Sequence, residues 1–166
     1  METLGSRKQI SRERLSELAE EYNISVNFLI TLIKNGVPPS EIENSIRFLN
    51  RIDIETERRN VSHTKPKKGD SLTAKNVAKL YSMCQGLPEE VTDRVIGAVA
   101  ELRETINSCG PNVKFSIANT VIGRMLSPVQ QTDGGIRPVD CETLLDRAEL
   151  VSSTLKLEPE LRYPII

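Results

Sequence analysis

Leu15-Ser16-Glu17-Leu18-Ala19-Glu20-Glu21-Tyr22-Asn23-Ile24-Ser25-Val26-Asn27-Phe28-Leu29-Ile30-Thr31-Leu32-Ile33-Lys34-Asn35-Gly36-Val37-Pro38-Pro39-Ser40-Glu41-Ile42, running on to Leu49, is the stretch that decides the fold. Leu15, Leu18 and Ala19 recur at i, i+3 and i+4, which is the stripe of a helix with one buried face. Ser11 and Glu13 suit its start, so the spacing predicts a helix from about Ser11 to Tyr22. Asn23 tolerates the left-handed conformation that ends a helix, and Ser25 caps the next one. That second helix carries Leu29, Leu32 and Ile33; Gly36 stops it, and Pro38-Pro39 forbid its continuation. Ser40 and Glu43 have the spacing of a capping box for a third helix, in which Ile42, Ile46, Leu49 and Ile52 share one face.

The same periodicity recurs further along the chain. Thr73 caps a helix through Val77, Leu80, Met83 and Cys84, and Gly86-Leu87-Pro88 breaks it. Glu89-Glu90 open the longest helix, with Val91, Val95, Val99, Leu102 and Ile106 in one stripe that ends at Cys109-Gly110-Pro111. Ser116–Leu126 reads as a shorter helix, Gln130–Pro138 as a loop, and Asp140 as the cap of a last helix with Leu144, Leu145, Ala148 and Val151. Between the two groups, residues 60–70 are polar, basic and interrupted by Pro66 and Gly69, which is linker composition. The expected architecture is therefore all-α. It comprises a helical module at 1–59, a basic linker at 60–70, a second helical block at 71–156 and an extended tail at 157–166. Each block contains a helix, Gly-apolar-Pro, helix unit, at a spacing of about 50 residues. Either duplication or the general use of Gly to stop and Pro to restart a helix accounts for that likeness.

Composition narrows the function. The net charge is −1. Residues 1–80 hold 14 Lys/Arg against 11 Asp/Glu, giving +3, and residues 81–166 hold 8 against 12, giving −4. Neither half carries the dense basic face that phosphate-driven binding requires. Residues 1–8 lack the apolar run of a secretory signal, and no window reaches the roughly 18 apolar residues of a membrane span. Cys84, Cys109 and Cys141 are odd in number and widely spaced, which favours a reducing compartment, cytoplasmic or nuclear.

Catalytic groups are scarce. The single histidine, His63, lies in the basic linker, and the cysteines lack zinc-ligand spacing. Asp133-Gly134-Gly135 has no following Lys-Ser/Thr to make a phosphate loop. Glu20-Glu21, Glu41/Glu43 and Glu89-Glu90 suit helix turns and solvent faces. No enzyme activity, cofactor or metal is expected.

Binding is the remaining chemistry. In the second helix Val26, Phe28, Leu29, Ile30, Leu32 and Ile33 occupy most of the circumference. Such a helix is either central in a bundle or docks another helix. On the docking reading, Val26, Phe28, Ile30 and Val37 form the partner-binding face.

Two family resemblances bear on this segment. Residues 18–36 resemble the helix-turn-helix DNA-binding proteins, including excisionase-like and MerR-like regulators and phage small-terminase subunits. Leu18-Ala19, Ile24-Ser25 and Leu32-Ile33 with Gly36 match that family's buried framework. The resemblance implies a DNA-binding role, with Arg7, Lys8, Arg12 and Arg14 on the phosphates and Asn27 and Lys34 toward the groove. Val26 and Ile30 depart from the family's polar reading face, since base readout relies on hydrogen bonds. Residues 29–49 are similar to the MOZART family in its helix, Gly-Val-x-Pro, helix pattern. That likeness covers 21 of the 166 residues. It implies a small adaptor for a larger protein in a microtubule-nucleation complex. The expectation from the residues themselves is a non-catalytic adaptor or assembly protein that docks a helical segment of a larger partner. The alternative is a DNA-binding protein, and oligomerisation is compatible with both.

Overall fold

The ends of the first two helices follow directly from their terminal residues. In the computed structural model, which describes residues 10–59, 72–107 and 117–157, helix α1 spans Arg12–Tyr22 and α2 spans Val26–Lys34. Ser11 Oγ accepts the Arg14 N–H at 3.0 Å, and Ser25 Oγ accepts the Phe28 N–H at 3.1 Å. Asn23 adopts φ 54°, which lets the Asn23 and Ile24 N–H groups donate back to Glu20 and Ala19. Gly36, at φ 107°, does the same for α2: Gly36 N–H donates to Ile33 O and Val37 N–H to Leu32 O, each at 3.1 Å. Both ends are Schellman motifs, and the second buries Val37 beside Leu32.

After a 3-10 turn at Pro39–Glu41, α3 runs Ile42–Arg58. The second group comprises α4 (Ala74–Cys84), α5 (Glu89–Asn107), α6 (Ile117–Met125) and α7 (Cys141–Leu157). Thr73 and Asp140 cap α4 and α7 as their positions predict. The fold is all-α; among the described residues the exception is one antiparallel pair, β1 (Val129–Gln130) with β2 (Ile136–Arg137). That pair corrects the loop expected over Gln130–Pro138. Gly134 at φ 88° turns the chain, Gln131 N–H donates to Gly135 O at 2.8 Å, and Asp133 Oδ1 accepts the Gly135 N–H.

One hydrophobic cluster runs through both helical groups. Helix α5 packs on α7 along one side and on α3 along the other, while α2 packs on α4. Ile46 and Ile52 of α3, Leu80 of α4, Leu102 of α5 and Leu144 of α7 are all at 0% exposure within this core. Polar contacts reinforce the junction. Arg51 on α3 pairs with Glu89 at 2.7 Å and with Asp93, and Arg103 on α5 pairs with Asp53 at 2.8 Å. Tyr81 is buried edge-on against Phe48, with centroids 5.8 Å apart, and its hydroxyl donates to Glu41 at 2.8 Å. The expected linker, the Cys109-Gly110-Pro111 stop and residues 158–166 lie outside the described residues. No helix among those described is long and apolar enough to cross a membrane.

The Gly-apolar-Pro units diverge in three dimensions. Val37 is 1% exposed, whereas Leu87 is 41% exposed. Gln85 leaves α4 in an extended conformation, so the second unit has no Schellman end.

Candidate partner-binding site

Helix α2 resolves into three levels of burial. Leu29 and Leu32 are fully buried, Phe28, Ile30 and Ile33 are half-buried against the same core, and Val26, Asn27 and Lys34 are exposed. The helix is thus mainly a core element, with Val26 as its one exposed apolar side chain. Of the four residues expected to dock a partner, Val26 is 37% exposed, and Phe28 and Ile30 are half-buried. Val37 presents no surface. It is the hydrophobic contact of the α2 stop, so burial there serves the turn and leaves nothing for a partner.

The residues expected to contact DNA are divided. Arg7 and Lys8 lie outside the described residues, while Arg12, Asn27 and Lys34 are exposed. Arg14 is held by two carboxylates, Glu17 at 3.4 Å and Glu43 at 3.1 Å. Glu43 is also paired with Arg47 at 3.2 Å and accepts the Tyr22 hydroxyl at 2.8 Å. The Tyr22 hydrogen bond, followed by the two guanidinium groups, holds its carboxyl below the ordinary range. This clamp ties α1 to α3. It also corrects the capping box expected at Ser40–Glu43: α3 starts through the 3-10 turn without a side-chain cap, because the Glu43 side chain is engaged elsewhere.

A groove of about 510 Å³ opens where α2 ends, beside α4 and under the β-hairpin. Met83, Leu126, Pro128, Ile136, Pro138 and Val139 supply its apolar lining, and Asn35, Lys79, Ser82 and Arg137 its polar edge. That volume is within the range of small-ligand sites and matches a few aliphatic side chains. Ile136 stands 66% exposed over it. Each wall is positioned by a local device. Arg147 of α7 donates through Nη1 to the carbonyls of Met125 and Ser127, both at 2.8 Å, which fixes the chain leaving α6. Asp140 caps α7 by accepting the Thr143 N–H and pairs with Arg137 at 3.0 Å, fixing the chain leaving β2. The cap bond holds the Asp140 carboxyl low.

Behind this wall, Cys141 Sγ lies 3.7 Å from Met83 O, and Cys84 is buried alongside. Burial pushes the Cys84 thiol up to about 12, with the neighbouring Cys141 thiol adding to the shift; Cys141 is likewise raised, mainly by burial. These thiols are core groups at neutral pH.

A second, more polar groove of about 260 Å³ lies between α5 and α7, lined by Arg94, Ala98, Glu101, Leu145, Ala148, Glu149, Ser152 and Ser153. The apolar groove was not foreseen from the sequence. Its one advance signal was Ile136, an aliphatic residue beside two glycines in an otherwise polar loop. Compared with protein-family models, curated proteins and solved structures, the chain matches none of them.

Proposed function

We propose that this protein is a non-catalytic helical adaptor that docks a helical segment of a larger protein partner. The observation that carries the reading is the open apolar groove over Met83, Leu126, Ile136 and Val139, whose lining comes from the second helical group apart from Asn35. A monomer gains nothing by leaving Ile136 two-thirds exposed above an apolar trough, whereas a docked helix would cover both. A microtubule-nucleation complex is the setting suggested by the similarity of residues 29–49 to the MOZART adaptors, whose helix, turn and helix correspond here to α2, the 3-10 turn and α3.

Ile136→Asp tests the reading without touching the core. The variant is expected to keep its helical circular dichroism and lose an apolar helical peptide that the parent chain binds. Undiminished binding by Ile136→Asp would overturn the groove as the docking site. The DNA-binding alternative draws on Asn27 and Lys34, which are exposed on α2. Duplex binding with a steep salt dependence would favour it over the adaptor reading.

A further inference from the structure

On α1 and α3, Arg14, Arg47, Arg51, Arg58 and Arg59 each lie within 3.4 Å of a carboxylate of the same chain, while Arg12 makes no ion pair among the described residues. At the groove the lysines differ from these arginines. Lys79 makes no ion pair among the described residues, and neither does Lys75 one helical turn away on the same exposed side of α4. Arg137 meets Asp140 and the Pro138 carbonyl through Nη1 alone, so Nη2 and Nε make no hydrogen bond within the described residues. No carboxylate lines the groove. The edge of the apolar floor therefore carries one ammonium without an ion pair among the described residues, Lys79, and one guanidinium, Arg137, that keeps two nitrogens unused beside its Asp140 contact.

We infer that the segment docked in this groove is acidic: a peptide helix with aliphatic side chains in the trough and carboxylates set against Lys79 and Arg137. This rests on the adaptor reading and specifies the partner's chemistry. The apolar floor supplies affinity without discriminating among amphipathic helices. The rim discriminates, because a Lys/Arg-rich helix of the same apolar face would bring like charges against Lys79 and Arg137. Arg137 is held in place by Asp140, so its remaining donors match a carboxylate with little further ordering. Asp140 offsets part of the Arg137 charge, so Lys79 carries the larger share of the preference.

The test uses the full chain, labelled with nitrogen-15, and two synthetic helical peptides. Both carry the same leucines at i, i+3, i+4 and i+7; one fills the outer positions with Glu, the other with Lys. The Glu peptide is expected to shift the amides of Lys79, Met83 and Val139, and to bind roughly tenfold more tightly than the Lys peptide at low salt. That preference should shrink as ionic strength rises. The double variant Lys79→Glu/Arg137→Glu is expected to invert it, while Ile136→Asp weakens both peptides. Equal binding of the two peptides, each still lost in Ile136→Asp, would overturn the charge assignment and leave the adaptor reading standing. Failure of both peptides to shift groove amides, or binding indifferent to Ile136→Asp, would overturn both.

Discussion

Replacing Ile52 with alanine should weaken the whole molecule, and the two helical groups together. Ile52 is fully buried on α3, the helix that packs against α5, so truncation leaves a cavity in the shared core. Core Ile→Ala changes cost about 2–5 kcal/mol, and a site with no exposed edge to collapse into belongs near the middle, about 3.5 kcal/mol. That corresponds to a roughly 300-fold larger unfolding constant. For a chain of this size it corresponds to a fall in Tm of about 10 °C. Hydrogen exchange is the decisive assay, because it reads each helix separately. If one core unfolds as a unit, the most protected amides of α2 (Leu29, Leu32) and α7 (Leu144, Ala148) lose protection by the same factor. Loss of protection confined to α1–α3, with α7 unchanged, would refute the shared core and restore two independently folding blocks.

Three further outcomes follow from local geometry. Glu43 has a folded-state pKa below its ordinary 4.5, so its contribution is present above that value and lost as pH falls through the folded pKa. Wild-type Tm should therefore drop more steeply than that of Glu43→Gln between roughly pH 5 and pH 3, and parallel curves would show the clamp to be inert. With its pKa pushed to about 12, Cys84 is thiolate in only about one molecule in ten thousand at pH 8. Iodoacetamide should therefore label Cys84 far more slowly in the native than in the denatured chain, and comparable rates would contradict its burial. Gly36→Ala meets no atom within 4 Å but must hold φ 107°, so it should cost on the order of 1–2 kcal/mol in urea titration through backbone strain alone. A neutral result would mean that α2 can end in another way.

What could be read from the sequence was what short-range chemistry decides. Ser11, Ser25, Thr73 and Asp140 cap their helices, and Asn23 and Gly36 end theirs, because each acts on a backbone group within a few residues. The α3 stripe of Ile42, Ile46, Leu49 and Ile52 is buried as its spacing requires. Ser40–Glu43 failed for the opposite reason. Its spacing was right, but Tyr22 and Arg14, 21 and 29 residues away, bind the Glu43 carboxylate. The α2 circumference misleads in the same way: Phe28 and Ile30 read as a docking face, yet α1, α3 and α4 all close on that helix and both side chains pack against the core. The β-hairpin escaped because two-residue strands carry no periodicity.

The groove is harder to foresee than any helix, for a physical reason. Its walls come from residue 35, residues 79–83 and residues 126–139, so no sequence window contains it. A protein that docks a partner must keep some apolar side chains out of its own core. Its sequence shows this only as an aliphatic residue where the periodicity has no use for one. Val26, Ile54, Leu87, Ile136 and Leu150 are such residues among those described, and scattered exposed aliphatics are ordinary. Position selects among them: Ile136 lines an apolar groove, whereas Val26, Ile54, Leu87 and Leu150 line neither groove. Charge then sharpens the choice, since Lys79 flanks that groove without an ion pair among the described residues and Arg137 keeps unused donors beside Asp140. An exposed apolar residue identifies a docking surface once it coincides with a concavity and an unbalanced rim, and each of those arises only when the chain has folded.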